Sequence, residues 1–170
     1  MFASAKVWQF SDIAKHFREK KQKKMPKFHD SLLATPKSRT FEAQLYIFIM
    51  YKAGKHKLLD AIIEGIQDKK GHNIVVVDLS SIDDTICTYF VIAQGGSPTQ
   101  VHALAMSVGD KAHEMCDIRP LAVDGLRNSN WVAMDYADVI VHIFLPEERD
   151  FYDIEHLWAD AELTEIPDLD

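Results

Sequence analysis

Between Ile74 and Phe144 the chain alternates short β-branched runs with one long stretch of helical spacing, which confines it to an α/β layer fold. Ile74 to Leu79 and Tyr89 to Ala93 are too short for helices and are bounded by polar residues, so both predict buried strands. Gly95 and Gly96 break the second run, and Ser97 followed by Pro98 supplies an N-cap with proline at the first helical position. Val101, Leu104, Ala105, Val108, Ala112 and Met115 then keep helical spacing, predicting a helix of about 18 residues packed on the sheet. Upstream, Leu58, Leu59, Ile62, Ile63 and Ile66 form one face of a helix over 55–70, which Gly71 stops. Three more strands are expected at Pro120 to Val123, Trp131 to Asp135 and Val139 to Phe144. Asn128, Ser129 and Asn130 give the first two of these a tight turn and an antiparallel pairing. Pro146 and Glu147 open a last helix with Phe151, Tyr152, Ile154, Leu157 and Trp158 as its apolar positions. The expectation is a mixed five-stranded sheet flanked by helices over 55–161, preceded by a basic extension (1–54) and followed by an acidic tail (162–170).

Charge divides the chain sharply. Residues 1 to 57 hold 13 Lys and Arg against 4 Asp and Glu, a balance of +9, whereas residues 58 to 170 hold 6 basic and 22 acidic side chains, a balance of −16. Such a body repels phosphate, which argues against direct DNA or RNA binding and for a basic protein partner. The N-terminal segment, with Lys20, Lys21, Lys23 and Lys24 and no sustained amphipathic period, fits a poorly ordered appendage, an RNA-touching arm or a targeting peptide. It also fits upstream sequence ahead of a natural start at Met50. The longest apolar run, Leu45 to Tyr51, is far short of the roughly 20 residues needed to cross a bilayer, so no membrane span is expected. Only Cys87 and Cys116 are present, a count that suits a reducing, cytoplasmic setting.

Gly95, Gly96 and Ser97 form the most suggestive catalytic feature, a strand-to-helix turn able to cradle phosphate on backbone N–H groups. They lack the lysine of a Walker loop and the third glycine of a dinucleotide fingerprint. A capping turn is the simpler reading. Asp135 and Asp138, three apart on an extended chain, point to opposite faces and cannot share a metal unless a bulge or turn lies between them. The eight histidines show no ligand spacing, so no metal or cofactor is expected. His142, among valines and isoleucines, is expected to be a satisfied, partly buried residue. Cys87 and Cys116 are expected as core or boundary residues.

The run Trp131-Val-Ala-Met-Asp135-Tyr136-Ala-Asp138-Val139-Ile-Val141-His142-Ile-Phe144, followed by Arg149, Phe151-Tyr152, Glu155 and Leu157-Trp158-Ala-Asp160, resembles the ribosomal silencing factor, or Iojap-like, family. Tyr89 to Ala93 leading to Ser97, and Val123-Asp124-Gly125, resemble earlier blocks of the same family; the resemblance covers about residues 56 to 161. Ala159 stands where relatives often carry glycine. The resemblance implies a nucleotidyltransferase-like fold without catalytic residues. It further implies binding to the large ribosomal subunit through its ribosomal protein numbered fourteen, obstruction of subunit joining, and repression of translation. Organelle relatives act in large-subunit assembly.

No catalytic residue is therefore expected. Candidate partner contacts are Trp131 and Met134 as apolar anchors, Tyr89 and Tyr136 as amphipathic contacts, and Asp135 and Asp138 as acceptors for lysine or arginine. Trp131, next to a polar hairpin tip, is expected to be exposed. Arg149 and Glu155 are expected to be structural, tying the C-terminal helices to the sheet. An aromatic surface left open in the free protein would also allow a homodimer. The rival readings are a nucleotide-binding enzyme using Gly95 to Ser97 and an organelle assembly factor.

Overall fold

A computed structural model describes residues 57–169. The basic extension over 1–54, Met50 and the run from Leu45 to Tyr51 all lie outside the described residues. Helix α1 is seen over 57–67. It is followed by β1 (His72–Asp78), β2 (Tyr89–Gln94), α2 (Pro98–Cys116), β3 (Ala122–Asp124), β4 (Trp131–Asp135) and β5 (Val139–Phe144). The chain then forms α3 (Pro146–Tyr152), a 3-10 turn at Ile154–His156 and β6 (Glu162–Ile166).

Among the described residues the sheet has six strands in the order β3-β4-β5-β2-β1-β6, not the expected five. Of these pairs β2–β5 is parallel, and β1–β2, β1–β6, β3–β4 and β4–β5 are antiparallel. The additional strand comes from the stretch expected as an acidic tail: β6 pairs along β1, with Val76 opposite Thr164 and Asp78 opposite Glu162. Four of its five residues are exposed, so the apolar alternation that marks a half-buried strand is weak there.

Alternation along the central strands sends side chains to two cores. Val91, Ala93, Val132, Met134, Val139, Val141 and Ile143 pack beneath α1 and α2. Phe90, Ile92, Ile140 and Phe144 meet Ile154, Tyr152 and Trp158 on the other face. A strand covered on both sides reads as a continuous apolar run, and every residue of β5 is buried. The last helix is shorter than its apolar positions suggest, because Asp153 adopts a left-handed conformation (φ 47°) and redirects the chain into the 3-10 turn.

The two long helices approach closely at Gly65, where an added Cβ would sit 2.8 Å from the Val108 Cα and 3.0 Å from the Ser107 carbonyl oxygen. Alanine normally gains about 1 kcal/mol over glycine inside a helix. Overpacking against backbone, which cannot rotate away, costs about 1–3 kcal/mol. The clash is expected to win: Gly65→Ala should lower the urea midpoint, and an unchanged or raised midpoint would show that α1 and α2 slide apart freely.

Candidate functional site

The glycine turn after β2 is occupied by its own chain. Gly95 N–H donates to the Phe144 carbonyl (2.9 Å) and Gly96 N–H to Gln100 Oε1 (2.8 Å). Ser97 caps α2, its hydroxyl accepting from Gln100 N–H at 3.2 Å. Gln100 Nε2 in turn donates to the carbonyls of Lys69 and Lys70, bolting the turn to the α1–β1 connection. A phosphate would have to displace these bonds, so the geometry favours the capping role. Gln100 was invisible to motif reasoning because its importance lies in contacts 30 and 31 residues away.

Asp135 and Asp138 are not on one extended chain. A turn through Tyr136 and Ala137 separates β4 from β5, with Ala137 in a left-handed conformation (φ 72°). Asp135 is buried, and its Oδ1 accepts from the Ala137 N–H at 2.7 Å, so it serves this turn. No group of three or more potential metal ligands occurs among the described residues.

The six candidate contacts do not form one patch. Trp131 stands at one end of β4 and Asp135 at the other, about 13 Å along the strand. Trp131 is not the exposed anchor expected from its hairpin position. It is partly buried, its ring 4.8 Å from Phe144 and 4.6 Å from Tyr152 between centroids, and its Nε1 donates to His142 Nδ1 at 3.2 Å. Met134 and Tyr136 are buried in the core under the helices, and Tyr89 is half-buried beside it. Burial pushes the Tyr136 phenol well above its usual pKa and leaves its hydroxyl without a hydrogen-bond partner among the described residues. Tyr89 and Asp138 do meet: the Asp138 carbonyl accepts the N–H groups of Thr88 (2.9 Å) and Tyr89 (3.0 Å) at the β2–β5 end of the sheet. The rings that suggested self-association are largely packed inward, which weakens that argument.

Sequence reasoning missed a groove of about 190 Å³ between α2 and the β3–β4 hairpin, lined by Met106, Gly109, Val123, Leu126 and Met134 and flanked by Asp110 and Arg119. Met106 is 51% exposed at its mouth. The available signal was Met106 itself, a large apolar residue off the buried stripe of Val101, Leu104, Ala105, Val108 and Ala112.

His142 and Arg149 lie on the other side of the sheet. His142 is 2% exposed, and desolvation lowers its pKa from 6.5 to about 3, so the ring is neutral at pH 7. Its Nδ1 accepts from Trp131, which places the proton on Nε2, and Nε2 has no hydrogen-bond partner among the described residues. Burial is thus deeper than the partial burial expected, and hydrogen-bond satisfaction is incomplete. Arg149 donates from Nε and Nη2 to Glu155 Oε1 (3.0 and 2.9 Å) and from Nη1 to the Asn73 carbonyl at 2.6 Å. This is the structural tie expected of that pair, carried through to β1.

The family model described as ribosomal silencing factor during starvation matches residues 52–170. The chain belongs to this family. A ribosomal silencing factor of Bacillus subtilis is 36% identical over 99 residues, covering 58% of this chain and 82% of that protein. The Chromobacterium violaceum member is 40% identical over 97 residues, covering 57% and 78%. A crystal structure of a Chromobacterium violaceum protein superposes with a TM-score of 0.58 at 33% identity, covering 66% of this chain and 92% of the other. The family assignment therefore spans α1 to β6, including the strand that the sequence pattern did not announce.

Proposed function

We propose that this protein silences translation by binding the large ribosomal subunit through its ribosomal protein numbered fourteen and excluding the small subunit. The observation that carries this reading is the family match over residues 52–170. The acidic excess of residues 58 to 170 supports it, because an acidic surface steers toward a basic ribosomal protein and is repelled by bare rRNA. Action is by obstruction rather than bond making, in the cytoplasm, without metal or cofactor.

The docking surface we propose runs from the β4–β5 turn, where the half-buried Tyr89 and Asp138 face the partner and the buried Asp135 and Tyr136 hold the turn from within, to the groove beneath Met106 and Met134. Trp131 supports this surface from below the sheet. Trp131→Ala is a poor probe of docking, since it also removes an acceptor's partner and a ring from the second core. Met106→Lys is a better one: the site is exposed, lysine is a good helix former, and it adds charge facing a basic partner. Losing an apolar anchor there should weaken co-sedimentation with isolated large subunits by about tenfold or more. Wild-type co-sedimentation by the folded variant would remove the groove from the surface; failure of the unmodified protein to sediment with large subunits would end the functional reading itself.

A second reading, assembly of an organelle's large subunit, is favoured by the names of other relatives. One is the mouse mitochondrial assembly of ribosomal large subunit protein 1, 26% identical over 114 residues and covering 64% of this chain and half of that protein. N-terminal sequencing of the mature protein separates the two, because import would remove part of the basic segment.

A further inference from the structure

At the opposite side of the sheet from the β3–β4 hairpin, β6 is the terminal strand, with β1 on one side and no strand on the other among the described residues. A terminal strand offers free N–H and C=O groups as a template for one more strand. Glu162, Leu163, Thr164 and Glu165 are all exposed, and Leu163 is 44% exposed. A cavity of about 640 Å³ opens beside it between β1, β6 and α3. Ile74 and Ile166 give this cavity an apolar component, and Asp150, Glu165 and Asp168 surround them with negative charge. The lining guanidinium, Arg149, is already held by Glu155 and the Asn73 carbonyl.

We propose that β6 takes up a basic, extended segment of another protein as a seventh strand. Glu162 and Glu165 face opposite sides of the sheet, so a lysine or arginine on each face of that segment meets one of them, and an apolar side chain packs beside Leu163. Charge selects this occupant. Two copies of β6 placed side by side would set Glu162 against Glu165 in the antiparallel register that pairs positions 162 to 165 with themselves, and would bring four glutamates together in any register, whereas a basic strand gains from the same carboxylates. The edge carries charges that discourage self-pairing without covering its backbone, a combination that admits a partner of opposite sign. The groove beneath Met106 lies at the far side of the sheet from β6, whereas Tyr89 is two strands from Glu162 across Asp78; the inference rests on the edge of β6 alone and not on the ribosomal reading.

The test uses the full chain and a fluorescein-labelled peptide of about eight residues in which pairs of lysines alternate with pairs of valines, so that lysines stand opposite Glu162 and Glu165 and a valine opposite Leu163. Fluorescence anisotropy should show saturable binding that weakens as salt rises, and hydrogen exchange should show new protection on the β6 amides. Glu162→Lys combined with Glu165→Lys, both at exposed positions, should reduce affinity about tenfold or more, and a peptide with glutamate in place of lysine should not bind. Absence of binding, equal binding by the charge-reversed protein, or protection at another element would overturn the proposal. So would β6 amides already protected before peptide is added, whether by residues 1–56 or by a second copy. The exchange measurement on the unmodified protein decides the placement even if the double variant fails to fold.

Discussion

Arg149→Ala is expected to destabilise the protein by about 3–5 kcal/mol, the range for removing one partner of a buried ion pair. The arginine side chain is 9% exposed and the glutamate 14%, so water cannot readily replace the lost guanidinium. Glu155 would keep a buried carboxylate whose Oε2 already has no hydrogen-bond partner among the described residues. The Asn73 carbonyl would lose its 2.6 Å donor as well. That carbonyl is available to Arg149 because β1 departs from regular pairing with β2 between His72 and Val75, and Asn73 itself is left-handed (φ 50°). Its N–H donates to Asp168 Oδ1 at 2.9 Å, so the irregularity joins β1 to α3 and to the segment after β6. Arg149→Lys should recover only part of the loss, since one ammonium cannot reproduce the planar fork that reaches Glu155 and Asn73 together. Replacing both partners with apolar residues should recover more, because no buried charge is then left unpaired. Urea unfolding of the four proteins checks the order, and a loss below about 1 kcal/mol for Arg149→Ala would mean the pair is solvated.

The same elements show what the residues alone can convey. β4 and β5 were legible with their observed boundaries, Trp131–Asp135 and Val139–Phe144, because strands buried on two faces carry nearly uninterrupted apolar runs between polar turns. The helix after Ser97 was legible because its cap, its proline and its apolar stripe agree, and it spans the 19 residues Pro98–Cys116. β6 was not, because an exposed strand of Glu, Leu, Thr, Glu and Ile owes its conformation to β1 rather than to a pattern of its own. The candidate site fared similarly. A polar hairpin beside Trp131 predicted exposure, yet Tyr152, 21 positions later, covers the ring once α3 folds across the sheet. The Asp135–Asp138 spacing assumed an extended backbone, and the left-handed residue Ala137 breaks it where no glycine gave warning. Family membership was legible through the residues of the run from Trp131 to Phe144 and those after it, and the family match over residues 52–170 agrees with it, whereas an α/β fold by itself names no activity.

Acid should expose His142. Desolvation holds its folded pKa at about 3 against the ordinary 6.5, so the unfolded chain takes up a proton first as the pH falls. The contribution of this ring is therefore fully present above about pH 7 and declines by about 1.4 kcal/mol per pH unit between roughly pH 6 and pH 3. Protonation also destroys the acceptor that Trp131 Nε1 uses, so charging the ring and losing the 3.2 Å bond occur together. Phe90, at a centroid distance of 5.2 Å, and Phe144, at 6.0 Å, offer the imidazolium no carboxylate to balance it. His142→Gln supplies the control: the amide oxygen can accept from Trp131 and does not titrate. Carboxylates elsewhere titrate over the lower part of the same window in both proteins, so the difference between their stability-against-pH curves isolates the histidine. Wild type should lose stability more steeply than the variant below about pH 6 and run parallel to it above pH 7. Parallel curves across the whole range would mean that the ring takes up its proton as readily in the folded as in the unfolded protein, and that water reaches the second core.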